Sequence, residues 1–289
     1  ANINSATAEA IGAGVERIIV GNELALEAAR SWIDVWQYEE KLELLNARSI
    51  EMETVVSQIE RMATNGMMDR AAVDSVRRKI VAISLEQARL QSDLSQAQVR
   101  FTRFFNQKPS QVAMPTGLVT MSDARMQAGA WQEAPVLQRS VVELIVAQNA
   151  VSAAEAAFKP KATFQAGVTS PLQDGESTDI SLGIALEYSF SDGGRRESQL
   201  NAAEARMESA RISLTDAQRS LKEELDTAVH QLDAIELSMP LVARQITLSA
   251  SGAKTAKSQL ATGQANLNQL IEAKIENYRA EDRQITMHA

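Results

Sequence analysis

The sequence has 289 residues, a net charge of −8 and no cysteine, and only 4% of its residues are aromatic. The acidic balance argues against a nucleic-acid-binding protein, which carries a basic face, and the lack of cysteine excludes disulfides, thiolate metal sites and cysteine nucleophiles. No run of about 18 apolar residues is present, so no transmembrane helix is predicted.

The first part of the chain predicts a long helical hairpin. Sparse glycine and proline favour long helices, and apolar residues recur at helical spacing up to about Ala63, which gives a helix of roughly 80–95 Å. The Thr-Asn-Gly sequence at 64–66 is a stop signal. A second helix is predicted over residues 69–105, so residues 1–107 form the first helical hairpin, with its tip near 64–69.

A connector and a third helix follow the first hairpin. Residues 108–134 have mixed composition and are predicted to form a connector with one short helix from Ser122. Pro135 favours a helix start, and the helix is predicted to reach Phe158 and to stop at Pro160. Residues 135–160 therefore lead into the next segment.

Residues 161–191 predict a transmembrane β-hairpin. Two alternating segments, 162–169 and 180–190, flank a polar turn, and the second keeps a period of two over eleven positions. A transmembrane strand needs about 9–11 residues with an apolar lipid face. One hairpin is marginal alone, so it must join strands from elsewhere. The predicted lipid-facing residues are Phe164, Val168, Ile180, Leu182, Ile184, Leu186, Tyr188 and Phe190.

The last part of the chain predicts a second helical hairpin over residues 192–289. A long helix with a kink at Pro240 is predicted to reach Thr262, and a final helix runs from Asn266 to the end. Its tip, near 262–267, resembles the first tip in sequence, with the two tip glycines 197 residues apart. The chain is therefore predicted to contain a duplicated helical hairpin.

These motifs in combination resemble the TolC family of outer-membrane channel proteins. The matching segments are the helix end at 158–160, the strand exit Tyr-Ser-Phe-Ser-Asp-Gly-Gly-Arg at 188–195 and the helix tip at 260–270. The resemblance implies a mainly α fold, in which long antiparallel helical hairpins form an α-barrel tunnel on trimerisation. Each chain also contributes β-strands to a shared β-barrel.

The function implied by the resemblance is a passive exit duct for efflux or type I secretion. The family implies a homotrimer in the outer membrane of a Gram-negative bacterium, with most of the chain in the periplasm. Its implied partners are a periplasmic adaptor (membrane fusion) protein, an inner-membrane transporter and outer-membrane lipid. The sequence departs from the family pattern because it has one strand pair instead of two. Six strands from three copies would be fewer than the eight of the smallest membrane barrels, so the sequence is expected to be part of a longer protein.

Two groups of residues near the tips are the predicted functional sites. Docking of the adaptor is predicted at the tip residues Asn65, Gly66, Met67, Met68, Gly263, Gln264, Ala265 and Asn266. The alternative for this group is an ordinary helix–helix turn. Asp69, Asp74 and Glu272 are candidates for acidic rings that favour cations, and the alternative is solvated charge on the outer face. Tyr278 and Arg279 are candidates for inter-helix bonds that hold the aperture closed.

The sequence predicts no enzyme, no cofactor and no metal site. Its two histidines, His230 and His288, have no partners at metal-ligand or triad spacing. The alternative function is a soluble periplasmic coiled-coil adaptor or scaffold. Adaptors carry a lipoyl-like β domain with glycine-rich turns, which is absent from the sequence, and they do not need a long strand with an apolar face. The strand alternation therefore favours the channel.

Overall fold

The computed structural model describes residues 2–65, 70–114, 131–169, 179–262, 264 and 266–289, and the fold is mainly α, as predicted. In chain order the elements are α1 (Asn2–Thr64), α2 (Arg70–Phe105), α3 (Pro135–Ala156), β1 (Lys161–Thr169), β2 (Asp179–Glu187), α4 (Arg195–Ala261) and α5 (Leu267–His288). Within this part of the chain, none of the helices has the length and apolar character that crossing a membrane requires.

The helix bounds follow the sequence prediction closely. The predicted end of the third helix at Phe158 is wrong by two residues, because α3 ends at Ala156. The amides of Phe158 and Lys159 donate to carbonyl oxygens three residues back, at 3.1 and 3.0 Å, so the chain tightens before Pro160. α4 continues through Pro240 without interruption. The helix predicted from Ser122 lies outside the described residues.

The chain divides into two compact units. The first consists of Ala1–Gly21 and Gln127–Glu224, and the second of Asn22–Met126 and Leu225–Ala289. α1 and α4 each contribute to both units.

In the first unit, α1 and α3 pack closely and the two strands form an antiparallel hairpin. A Cβ atom on Gly12 of α1 would lie 3.2 Å from Cγ1 of Val142 on α3, so this glycine permits the close approach of the two helices. Leu137 of α3 is buried in the same unit. In the hairpin, Lys161 lies opposite Glu187, and this register fixes which side chains share a face.

In the second unit, four helices pack against one another through two clusters of apolar side chains. One cluster joins α1, α2 and α5 through Met52, Ile59, Val73, Val76, Leu267 and Ile271, and Leu260 of α4 packs against it. A second cluster joins α1 to α2, where Trp32 lies 5.5 Å from both Phe101 and Phe105, measured between ring centroids. The residues that flank both predicted tips therefore lie at one end of this unit.

Candidate functional sites

The β-hairpin presents one continuous apolar face. The register places Phe164 opposite Ile184, Ala162 opposite Leu186, and Ala166 opposite Leu182. On this face Ile184 is 79% exposed and Phe164 is 68% exposed. The opposite face carries polar or small pairs, such as Gln165 with Gly183 and Thr163 with Ala185. An exposed patch of large apolar side chains at this density marks an interaction surface, since soluble monomers rarely expose one.

The predicted eleven-residue length of the second strand is wrong. β2 ends at Glu187, so Tyr188 and Phe190 lie beyond the strand. The reason is the register: Glu187 pairs with Lys161, and the next partner would be Pro160, which has no amide hydrogen to donate. The rings of Tyr188 and Phe190 contact each other edge to face, with centroids 4.9 Å apart. The side chain of Val168, another predicted lipid-facing residue, lies outside the described residues.

Arg196 ties the strand exit to the helices at the base of the hairpin. Its guanidinium donates to the backbone oxygen of Ser189 at 2.8 Å and to the Asp192 carboxylate at 2.9 Å. The same group lies 5.4 Å from the ring centroid of Phe158, two residues beyond the end of α3. Gly194, at φ 84°, supplies the left-handed turn that this junction needs. Arg196 thus contacts all three segments that meet there.

The carboxylate of Asp192 completes this junction. It accepts from the backbone amide of Arg196 at 3.0 Å, at the start of α4. Burial alone would raise the pKa of Asp192, but the amide and guanidinium of Arg196 outweigh burial and lower the pKa. Asp192 is therefore ionised at neutral pH and holds Arg196 in place. The role of Arg196 was not predicted from the sequence, although Arg196 directly follows the Asp-Gly-Gly-Arg segment at 192–195.

Replacing Arg196 by alanine is expected to loosen the junction while leaving the helices folded. The substitution removes the hydrogen bonds of the guanidinium to Ser189 and Asp192, so the loss should appear as faster proteolytic cleavage of residues 188–195. The matched control is Arg195→Ala, because Arg195 is exposed at the neighbouring position. Equal cleavage rates in both variants would contradict the proposal that Arg196 holds the strand exit against the helix ends.

The structure describes part of each predicted tip. Asn266 caps α5: its side chain accepts from the Gln269 amide at 2.9 Å, and the Gln269 side chain accepts from the Asn266 amide at 2.9 Å. Asn65 and Gln264 are both exposed. The tip residues that lie outside the described residues are Gly66, Met67, Met68, Gly263 and Ala265. The aperture candidate Asp69 also lies outside the described residues. Docking at the tips remains a prediction.

The remaining aperture candidates lie on α2 and α5. Asp74 is exposed on α2, whereas Glu272 forms an ion pair with Lys79 that lowers the pKa of the glutamate. Burial, together with the carboxylates of Asp282 and Glu86, raises the pKa of Tyr278 to about 12. Tyr278 and Arg279 line a groove of about 660 Å³ between α1, α2 and α5. That Tyr278 and Arg279 hold an aperture closed remains a prediction.

A polar network that the sequence did not indicate links α1, α4 and α5. Arg48 donates to both carboxylate oxygens of Glu281, at 2.6 and 2.7 Å, and the amide of buried Asn277 donates to Glu281 at 3.0 Å. Ser249 of α4 donates to the Asn277 side-chain oxygen at 3.1 Å. The network therefore fixes the position of α5 against two neighbouring helices. The Arg48–Glu281 contact joins residues 233 positions apart in sequence.

Comparison with known proteins identifies relatives of this arrangement. Residues 129–289 match the model of a protein family described as outer membrane efflux protein. No curated protein matches the chain.

Solved structures match almost the whole chain. The outer membrane protein VceC from Vibrio cholerae superposes with a TM-score of 0.86 at 16% identity, covering 99% of this chain and 71% of that one. A membrane protein from Pseudomonas aeruginosa gives 0.85 at 17% identity, covering 98% of this chain and 66% of that one. The MtrE outer membrane channel of Neisseria gonorrhoeae gives 0.81 at 14% identity, covering 99% and 67%. The chain therefore shares their fold and spans about two thirds of their length.

Proposed function

The chain belongs to the outer membrane efflux protein family, and from this membership we propose that it is the protomer of a trimeric outer-membrane channel-tunnel. In this proposal three copies enclose a passive exit duct for efflux or type I secretion in a Gram-negative bacterium. The hairpin contributes to a shared β-barrel in the outer membrane, and most of the chain lies in the periplasm. The chain performs no catalysis, and an inner-membrane transporter supplies the energy.

The observation that carries this proposal is the apolar face of the hairpin. Five large side chains, Phe164, Ile180, Leu182, Ile184 and Leu186, are each at least 68% exposed. A two-stranded hairpin with such a face is not stable in water by itself, whereas lipid on one side and further strands at its edges would satisfy it. A soluble periplasmic adaptor does not require an exposed apolar face on a β-hairpin.

The tips are the proposed docking surface for a periplasmic adaptor protein. The capped start of α5 and the shared apolar cluster of Ile59, Val73 and Leu267 give this end of the unit a rigid support. The side chains of Asn65 and Gln264 are exposed, so they are accessible for hydrogen bonds with an adaptor. Asp74 is the described candidate for an acidic ring, because Glu272 already pairs with Lys79. Besides Glu60, the charge of Asp74 acts on nearby Arg77 and contributes to raising the pKa of that guanidinium.

Single-channel conductance of the full-length protein in a planar bilayer tests this function. A trimeric duct is expected to give discrete conductance steps, and Asp74→Asn is expected to raise them by removing a cation-binding ring. Asp226→Asn is the matched control, because Asp226 is an exposed carboxylate of α4 outside the predicted aperture. A folded protein that stays silent even after Tyr278→Phe and Arg279→Ala are combined would instead support the adaptor or scaffold.

A further inference from the structure

A small groove beside the polar network carries more cations than carboxylates. It lies between α1, α4 and α5 within the second unit and has a volume of about 290 Å³. This volume is roughly ten times the ~30 Å³ that one water molecule takes up in the liquid, so the groove can hold a small ion. It lies below the range of about 300–1,000 Å³ that is typical of pockets for drug-sized ligands. The charged residues that line the groove are Arg48, Glu51, Lys254, Lys257, Lys274 and Glu281.

The helix α4 contributes one of its faces to this groove. Its lining residues are Ala250, Ala253, Lys254 and Lys257, and their spacing of three, four and seven residues is that of one side of a helix. Each alanine side chain ends at Cβ, so the two alanines leave open space between α4 and α5. The two lysines line the same space from α4, while α1 and α5 supply the other charged residues.

The two carboxylates of the groove are already paired within the polar network. Glu51 accepts from Lys274 at 2.6 Å through one oxygen and from Arg48 at 3.2 Å through the other. Glu281 accepts from Arg48 through both of its oxygens, and from Asn277 at 3.0 Å. Burial alone would raise the pKa of Glu51, but Lys274 and Arg48 outweigh burial and lower the pKa. Both carboxylates are therefore ionised at neutral pH, and every one of their oxygens already accepts a hydrogen bond.

Lys254 and Lys257 do not take part in this network. Both residues are exposed, and neither side chain forms an ion pair or a hydrogen bond with another residue in the described part of the chain. Four cations and two carboxylates line the groove, so its lining carries a net charge of +2, whereas the whole chain carries −8. An anion with two negative charges would neutralise this lining and would give both lysines an acceptor.

We propose that this groove binds a small dianion of the phosphoryl class, held between Lys254 and Lys257 of α4 and Lys274 of α5. A phosphoryl group carries its charge on oxygens that point to several sides, so lysines on two helices can donate to it at once. Each ammonium has three N–H donors, of which Lys274 uses one for Glu51. The bound anion would link α4 to α5 next to the polar network. The proposal goes beyond the exit duct and does not depend on it, because one chain supplies every lining residue.

Isothermal titration calorimetry of the full-length protein with inorganic phosphate tests the site. Sodium chloride keeps the ionic strength constant during the titration, which separates a bound anion from general screening of charge. We expect saturable binding of one phosphate for each chain. Lys254→Gln combined with Lys257→Gln is expected to raise the Kd by about tenfold or more, because two charge-assisted hydrogen bonds are lost. The matched control is Lys222→Gln, an exposed lysine of α4 outside the groove, which should leave the Kd unchanged.

The outcomes of this titration decide the anion site separately from the duct. No saturable binding to the unaltered protein, or the same Kd in the double variant, would overturn the site and leave the conductance test of the duct untouched. Glycerol 3-phosphate is the second probe: an equal Kd would support a site for phosphate monoesters, and a much higher Kd would support a site for the free ion. If circular dichroism shows that the double variant has lost helical content, Lys254→Gln and Lys257→Gln are titrated singly, and an unchanged Kd in both would overturn the site.

Discussion

Replacing Ile184 by arginine is expected to abolish insertion of the protein into the outer membrane. Ile184 lies at the centre of the apolar face, opposite Phe164, and is the most exposed aliphatic residue among the described side chains of the hairpin. Arginine on the lipid face near the bilayer midplane costs about 2–4 kcal/mol, and three copies in one barrel would multiply that cost. Most of the protein should therefore leave the membrane fraction when cells are fractionated.

The control for this experiment is the neighbouring residue on the other face. Ala185 lies opposite Thr163, on the polar or small side of the hairpin. Ala185→Arg is expected to leave the membrane fraction largely unchanged, because the proposed lumen is polar. If both arginine variants inserted equally well, the apolar face would have no role in lipid contact, and the outer-membrane location of the hairpin would be wrong.

Replacing Glu281 by glutamine is expected to destabilise the second unit more than breaking an ion pair between exposed side chains does. The Glu281 side chain is 21% exposed, accepts three hydrogen bonds from Arg48 and contacts buried Asn277. Hydrogen bonds to charged groups contribute about 1.5–3 kcal/mol, and partial exposure of Arg48 reduces this. Glu281→Gln should therefore lower the free energy of unfolding by about 1–2 kcal/mol in urea.

Two comparisons make this result specific. Arg77→Ala removes an ion pair between exposed side chains, Arg77 and Glu60, and is expected to change the urea midpoint much less. A double-mutant cycle of Arg48→Ala with Glu281→Ala should show a coupling energy, because the two groups touch. Additive effects in the cycle would show that the contact contributes nothing to folding.

The helices could be predicted from the sequence because their signals are local. The stop signal at residues 64–66 and the capping residues Asn266 and Gln269 act within one turn of a helix end. The alternation in the second strand is also local, since each side chain is selected by the face it occupies. Its end was missed because it depends on Pro160, which meets the strand only once the register is known.

The polar network and Arg196 could not be assigned from the sequence for a different reason. α1 and α5 carry several charged residues at helical spacing, and nothing local distinguishes Arg48 or Glu281 from the others. Their contact spans 233 positions and depends on the alignment of two helices. The segment that contains Arg196 could be recognised from the sequence. Its contact with Phe158 could not, because that contact forms only when the two strands between these residues pair and bring them together.

The hairpin has a consequence for the order of events in biogenesis. Each of its strands has a single hydrogen-bonded neighbour among the described residues, so the outer edge of each carries backbone groups that lack a strand partner there. In a bilayer such groups cost several kcal/mol each, because no water can satisfy them. A single copy inserted in the bilayer without strand partners is therefore expected to be unstable. Entry into lipid and edge-to-edge pairing between copies should be one cooperative step, with a steep dependence on protein concentration.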